Sequence, residues 1–507
     1  MLTLICVPYF TVLVGLSLLG LHRLFLVILC ARHGERTEAA RLAPRLGDDV
    51  PRVTVQLPLF NEATVAARLI EACAAFDYPH DRLEIQVLDD SNDDTQWIAR
   101  AEVERQRARG VDAVYVPRAE RVGYKAGALA HGLTTAKGEL VAIFDADFVP
   151  RPGFLRDVVG HFDDPVVGMV QTRWGHLNRG ASALTEVEAL MLDGHHLVEN
   201  RARFGAGYFF NFSGTGGVWR REAIERAGGW SHETLTEDLD LSYRAQLAGY
   251  RFVYRGDVVS PAEVPEELTA ARAQQFRWAK GTVQTAKKLL GRLLFREPRL
   301  SISQRVEALF HLTPHFAYPL MLALSVLLLP ALVLIPAGDA ATMLLVDLPL
   351  CAATTTSLAA FYMLAESAQG RPRVGALLRV PLIVALGAGF APHLARAVWE
   401  GVTSSAGEFV RTPKHGGARR RYRVAAALPY VEGALALLSL ATVVASVSTG
   451  HWFATPFAAL FTFGYAYVAA LVLREETARR RDAAPPFALQ ADRGLGSGPA
   501  AAAPSGR

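Results

Sequence analysis

Between Leu235 and Tyr250 the chain reads LTEDLDLSYRAQLAGY, which places Glu237, Asp238 and Asp240 close together. Carboxylates at a helix start complement its exposed N–H groups and dipole, and a positioned carboxylate in a cleft takes a proton from a hydroxyl. Thr234 and Glu237 also stand at capping-box spacing, which offers Glu237 and Asp240 a structural role. Two more acidic pairs lie upstream, Asp89 and Asp90 in QVLDDSNDDT and Asp145 and Asp147 in FDADF, with Lys125 of GYKAGAL between them. Taken singly, the first pair reads as a turn, the second recurs by chance, and the lysine suits any loop. Gathered in one place, these carboxylates repel one another unless something positive sits among them. A hard divalent cation that itself holds a diphosphate suits them. The chain has no Walker sequence and no GxGxxG fingerprint, so the phosphates would be held through metal and side chains such as Lys125.

The elements that must position these residues alternate. VTVQLPLF (53–60), LEIQVLDD (83–90), DAVYVPR (112–118) and ELVAIFDAD (139–147) are apolar runs suited to strands. Helical stretches at 62–76 and 95–110 separate them. This βαβ pattern predicts an α/β, Rossmann-like, mostly parallel sheet, and such sheets bind ligands beyond the carboxyl ends of their strands. Asn61 and Glu62 follow the first strand, Asp89 and Asp90 end the second, and Asp145 and Asp147 end the fourth. Further on, QQFRW sets Gln274, Arg277 and Trp278 at i, i+3 and i+4, one face of a helix. An indole there offers a flat platform for a pyranose ring, and a guanidinium meets diphosphate oxygens in bidentate fashion. The competing reading is an amphipathic helix whose Trp marks a membrane interface. TAKKLLGRLLF (285–295) follows, suited to a bilayer surface.

The 507 residues are 51% hydrophobic, enough for a soluble domain and a membrane region, and a net charge of +4 leaves no nucleic-acid footprint. Cys6, Cys30, Cys73 and Cys351 show no metal-ligand spacing and no disulfide framework, which points to a reducing compartment for the soluble part. Residues 2–29 are apolar apart from His22 and Arg23, and Arg32 and Arg36 follow, so residues 1–30 read as a retained transmembrane helix rather than a cleaved signal. Residues 51–280 read as soluble and 281–308 as interfacial amphipathic helices. Apolar runs return at 309–336, 342–365, 374–399, 424–447 and 451–473, within a C-terminal membrane region 309–473, each near the roughly 20 residues a bilayer requires. Segments 366–373, 411–423 and 474–481 are rich in Arg and belong in the cytosol by the positive-inside rule. Two of them flank 374–399, which contains Arg379, Pro381, Pro392, His393 and Arg396. That run is therefore expected to be re-entrant or interfacial. The tail 482–507, rich in Ala, Pro and Gly, has the composition of a disordered segment.

VQLPLFNE, QVLDDSNDDT, GYKAGAL, FDADF, FSGTGGVWRREAI, TLTEDLDLSYR and QQFRW occur in order. Together they resemble the processive, inverting, family 2 membrane glycosyltransferases with a GT-A catalytic domain, the group of cellulose and hyaluronan synthases. Within it the likeness is to glucomannan (β-1,4-mannan) and β-glucan synthases of the cellulose-synthase-like type. It is strong over 53–290 and looser in the membrane region. The resemblance implies a metal-dependent hexosyltransferase using GDP-mannose or UDP-glucose. The acceptor would be a growing β-linked glycan moved across the bilayer. It implies Asp238 as general base, and Asp145 and Asp147 as ligands of Mg²⁺ or Mn²⁺. The donor site would be formed by Asn61, Glu62, Asp89, Asp90, Lys125 and Arg277, and the acceptor site by Ser213, Gly214, Thr215, Glu237, Gln274 and Trp278. FVRTPK (409–414) resembles the family's gating loop at Phe409, Thr412 and Lys414, with Arg411 where the family has Val. The chain is then an integral protein of the inner or plasma membrane with a cytosolic catalytic domain. Non-processive relatives that glycosylate a ceramide or diacylglycerol share several of these motifs and form the alternative. Partner subunits are not specified by the sequence.

Overall fold

The computed structural model describes residues 2–34, 50–334, 348–404 and 424–483, together with Gly407, Thr412 and Gly416. Seven strands form one sheet: β1 (Val53–Leu59), β2 (Leu83–Asp89), β3 (Asp112–Pro117), β4 (Leu140–Ile143), β5 (Val167–His176), β6 (Gly217–Arg220) and β7 (Arg251–Ala262). Their order is β3-β2-β1-β4-β6-β5-β7. The pairs β1–β2, β2–β3, β1–β4 and β5–β7 are parallel, and only β6 runs against its neighbours β4 and β5. This is the GT-A form of the α/β sheet, and it brings the carboxyl ends of β1, β2 and β4 to one edge. Both faces are covered, so β1, β2 and β4 are buried almost throughout, as near-continuous apolar strands require. Polar residues inside them are paired laterally: Thr54 Oγ1 donates to Glu84 Oε2 (2.6 Å) and Gln56 Nε2 to Gln86 Oε1 (3.1 Å).

The described helices are α1 (Leu2–Arg32), α2 (Ala66–Ala74), α3 (Thr95–Ala108), α4 (Tyr124–Thr135), α5 (Phe154–Val158), α6 (Ala183–Gly194), α7 (Arg201–Ala206), α8 (Arg221–Arg226), α9 (Glu237–Leu247), α10 (Leu268–Phe295), α11 (Ile302–Leu312), α12 (Ala317–Leu334), α13 (Leu348–Ser367), α14 (Arg373–Thr403), α15 (Tyr430–Ser448) and α16 (Thr455–Ala483). A π-helical turn, His195–Asn200, joins α6 to α7. Five described helices are long and apolar enough to cross a membrane: Leu4–Arg32, Pro314–Leu334, Arg373–Thr403, Tyr430–Ser448 and Thr455–Arg481. On α1, Leu4, Val7, Val14, Leu18, Leu21, Phe25 and Ile28 are exposed along one side, the stripe a lipid-facing helix presents. The segment 374–399 lies within one unbroken helix, α14, so no turn inside it returns the chain to its starting side. α14 packs against α10, α12, α13 and α16. Close approach to α10 depends on Gly401, whose added Cβ would meet Val283 Cβ at 2.8 Å.

Candidate active site

Lys125 is set by the turn that opens α4. Gly123 (φ +72) and Tyr124 (φ +50) both adopt left-handed backbone there. Gly127 allows the turn to close, because a Cβ would lie 2.0 Å from Val122 O. Lys125 Nζ then donates to Asp145 Oδ1 (2.5 Å) and Gly214 O (2.9 Å). Asp145 is held from behind by its own N–H, which donates to Thr215 Oγ1 (2.9 Å). Thr215, expected at the acceptor end, is fully buried and gives its hydroxyl to this bond. Gly214 (φ +81) lies against Asp238: a Cβ there would sit 3.1 Å from Asp238 Oδ2 and 3.6 Å from Lys125 Nζ.

Asp238 stands in the first turn of α9. Its Oδ1 accepts Leu239 N–H (2.8 Å), and its backbone carbonyl accepts Ser242 Oγ–H (2.6 Å). The capping box suggested by Thr234 and Glu237 is absent. The helix begins at Glu237 with Thr236 at its cap, and the Thr234 hydroxyl donates to Thr236 O (3.2 Å). Glu237 is instead buried among charges. Burial, Glu237 and then the opposing pull of Lys125 leave the Asp238 carboxyl pushed up to about 7. Burial raises Glu237 as well, against Lys125. For Lys125, burial works toward the neutral form, but Asp145, Glu237 and Asp238 outweigh it and its pKa is raised. Burial lowers Arg277, with Glu237, Asp145 and Asp238 opposing it. Lys125, Asp145, Glu237, Asp238 and Arg277 therefore form one electrostatic cluster, drawn from α4, the β4 end, α9 and α10.

Asp147 is buried, with Oδ2 accepting Glu263 N–H (3.0 Å). Arg68 braces the same place, donating to Asp147 O (3.3 Å) and Glu263 Oε1 (2.8 Å). Among the described residues, no group of three or more His, Cys, Asp or Glu is arranged to hold a metal. Two carboxylates at one strand end fit an ion of the Mg²⁺ kind, which takes one or two protein carboxylates and completes its shell with substrate phosphates and water.

The loops after β1 and β2 are stitched together. Asn61 adopts φ +55; its N–H donates to Ser91 Oγ (2.8 Å) and its Oδ1 accepts Asn92 N–H (3.0 Å). Asp89 is buried and accepts from Ser91 N–H (2.9 Å) and Tyr115 Oη–H (2.8 Å). Arg118 grips Asp90 in bidentate fashion, Nε donating to Oδ1 at 2.7 Å. Beside it, the Arg121 guanidinium lies 3.5 Å from the Phe60 ring centroid and 4.8 Å from that of Tyr124. Glu62 is buried close by. Arg118 and Tyr115 were missed from the sequence although the strand-end rule applies to β3 as well. Arg68 and Glu263 carried no local signal, since their partners lie far along the chain.

A cavity of about 780 Å³ starts at Asp238, Ser213 and Trp278 and runs between the membrane-region helices to Leu328, Leu332 and Phe453. α10 presents Gln275, Trp278 and Thr282 to it, whereas Gln274 is buried and not among the lining residues. Of the gating-type segment, Phe409 and Lys414 lie outside the described residues and Thr412 is buried. Gly407 lies beside Leu235, and Gly416 N–H donates to Glu263 Oε2 (3.1 Å).

Residues 51–281 match the family described as glycosyltransferase like family 2. This part of the chain is similar to family 2 glycosyltransferase domains. The chain is 38% identical over 304 residues to glucomannan 4-beta-mannosyltransferase 1 of Oryza sativa subsp. japonica, covering 58% of each protein. It is 42% identical over 245 residues to glucomannan 4-beta-mannosyltransferase 2 of Arabidopsis thaliana, covering 47% of this chain and 46% of that one. The chain thus spans about half the length of the curated relatives it matches. Among solved structures, a mannosyltransferase from Pyrobaculum calidifontis in complex with GDP-Man and Mn²⁺ aligns with a TM-score of 0.48 at 25% identity, over 69% of this chain and 97% of that chain.

Proposed function

We propose that the protein is an inverting hexosyltransferase that extends a β-linked glycan of the β-1,4-mannan or glucan type from GDP-mannose or UDP-glucose, and passes the product along the cavity. The observation that carries this reading is the placement of Asp238. A half-buried carboxyl pushed up to about 7 stands at the mouth of a long cavity whose wall also holds Trp278. A general base works best when its pKa lies near the operating pH.

Transfer is a single displacement. The acceptor oxygen forms a bond to C1 of the donor sugar as the C1–O bond to the diphosphate breaks, and the hydroxyl proton passes to Asp238. Lys125 and Arg277 face the charge that builds on the leaving diphosphate. Asp145 and Asp147 would hold Mg²⁺ or Mn²⁺, which when bound stabilises that charge. Asn61, Glu62, Asp89 and Asp90 form the nucleoside side of the donor site. Asp89 and Asp90 are there pre-set by Tyr115 and Arg118. Ser213 and Trp278 receive the acceptor end, with Gly214 allowing Asp238 to approach. Glu237 and Gln274 support that end without lining the cavity. The segment around Thr412 closes over the donor from the cytosolic side; the contacts of Gly407 and Gly416 with the catalytic domain support this. α14 then lies at the interface, which keeps both Arg-rich flanks in the cytosol.

One observation favours a second reading. The far half of the cavity is lined largely by apolar side chains of α1 and α12, a wall that also suits the acyl chains of a ceramide or diacylglycerol. Labelled GDP-mannose and UDP-glucose supplied to membranes containing the full chain separate the two. Polymer cleaved by a β-mannanase or β-glucanase supports the first, and a single glycolipid of fixed size supports the second. Product from neither donor rejects both.

A further inference from the structure

We propose that Trp174 is a second glycan platform, holding a sugar unit behind the one at the transfer point, with Ser213 and His196 offering polar atoms at its rim. This rests on the cavity being the acceptor path. Trp174 lies near the C-terminal end of β5, and its indole lines the same cavity as Asp238 and Trp278. The ring is anchored on three sides. Nε1–H donates to Thr215 O (3.4 Å), Phe148 packs edge-on at 5.5 Å between centroids, and His196 packs tilted at 5.2 Å. Thr215 also receives the Asp145 N–H, and Phe148 directly follows Asp147. The platform is therefore fixed to the segments that hold the reacting centre. A tryptophan serving a membrane interface stands at headgroup level on a spanning helix; this one belongs to a strand of the catalytic sheet.

The polar groups around it are concentrated on the catalytic side. Along α6 and the π turn, the cavity-lining face changes from Met191 and Leu192 to His195, His196 and Glu199. π-helical turns recur at functional sites because they shift side chains out of helical register. His195 Nδ1 pairs with Glu199 Oε2 (3.0 Å) and is thereby oriented. Asn211 and Ser213 point to the cavity from alternate positions of an extended segment, while Phe212 between them is buried edge-on against Trp219. Ser213 Oγ and both ring nitrogens of His196 are shielded from solvent and have no hydrogen-bond partner. A buried polar atom left without a partner is costly. A ligand that offsets this cost while covering an indole has a flat apolar face and a rim of hydroxyls, which is the chemistry of a pyranose chain.

The test uses the purified full chain in lipid nanodiscs, titrated without donor by β-1,4-linked manno- and gluco-oligosaccharides of one to six units. In wild type, affinity should rise with length as the second platform fills. Trp174→Ala should lose about tenfold in Kd for the longer oligosaccharides, leave the monosaccharide and donor KM unchanged, and be rescued by Trp174→Phe. His196→Phe, which keeps the ring stack, should weaken the longer ligands less. An unaltered length dependence in Trp174→Ala overturns the proposal. So does an equal loss for donor and every acceptor that Trp174→Phe shares. Absence of nucleotide-sugar turnover in wild type would instead reject the enzymatic reading, and the binding arm would still decide whether Trp174 holds glycan.

Discussion

Two regions of the molecule bury several charges each, and their carboxyls respond in opposite ways. At the junction of the catalytic domain with the membrane-region helices, Arg179 binds Glu186, Asp193 and Glu366, and Arg203 binds Glu307 and Glu199. Burial alone would raise Asp193, but His176, Gln369 and Arg179 outweigh it and its pKa is lowered. Glu307 behaves likewise, burial being overcome by Arg203 and His22. At the candidate active site Glu237 is buried and Asp238 half-buried, yet both are raised. The difference is one of pairing. Junction carboxylates accept directly from guanidinium or imidazole donors, whereas Asp238 accepts from a backbone N–H and faces Glu237. Carboxylates of the first kind hold elements together; those of the second kind are ready to take a proton.

The largest expected effect comes from removing the unpaired carboxylate. Asp238→Asn should lower donor turnover by about 10²–10⁴. It should leave the apparent melting temperature unchanged or higher, because a carboxyl with a raised folded pKa costs stability as pH climbs from the ordinary carboxylate range toward 7. A variant that melts early would place Asp238 with the junction carboxylates instead. Asp147→Ala should abolish stimulation by Mg²⁺ or Mn²⁺, measured as turnover against metal concentration after chelation. Undiminished metal-stimulated turnover would remove Asp147 from the metal site.

Breaking the paired cluster should do the converse. Arg179→Leu strands two buried carboxylates and should cost about 3–5 kcal/mol, read as a lower melting temperature in detergent. Turnover per folded molecule should hold. Because Asp193 is depressed when folded, its share of stability is present at neutral pH and is lost as pH falls through that depressed value. Gly214→Ala tests the contact between the two sides of the site. Strain at φ +81 and crowding of Asp238 should lower turnover about tenfold while nucleotide binding persists. The smallest shift is expected for Trp278→Ala, which should shorten or deplete polymer more than it weakens nucleotide binding. Equal losses would count against a sugar platform.

The strand-end carboxylates and Lys125 were legible in the sequence because strand, turn and helix each leave a local pattern. So did the mostly parallel sheet. Longer-range features left none. Arg68 and Glu263 converge on Asp147 from positions 195 residues apart, and Arg179 meets Glu366 across 187. The Thr234–Glu237 spacing misled because the helix starts at Glu237 itself, with Thr236 at its cap. The Arg-rich flanks suggested that 374–399 is re-entrant or interfacial; α14 runs unbroken through Pro381 and Pro392, its neighbours holding the helix together where local preference would interrupt it.

The role of Asp238 as proton acceptor is tested most directly by the pH dependence of kcat/KM for donor turnover at saturating metal. Wild type should lose about tenfold per unit below a single ionisation near pH 7, and the residual activity of Asp238→Asn should lack that step. A flat wild-type profile between pH 5 and 8, or the same step surviving in the variant, would contradict it.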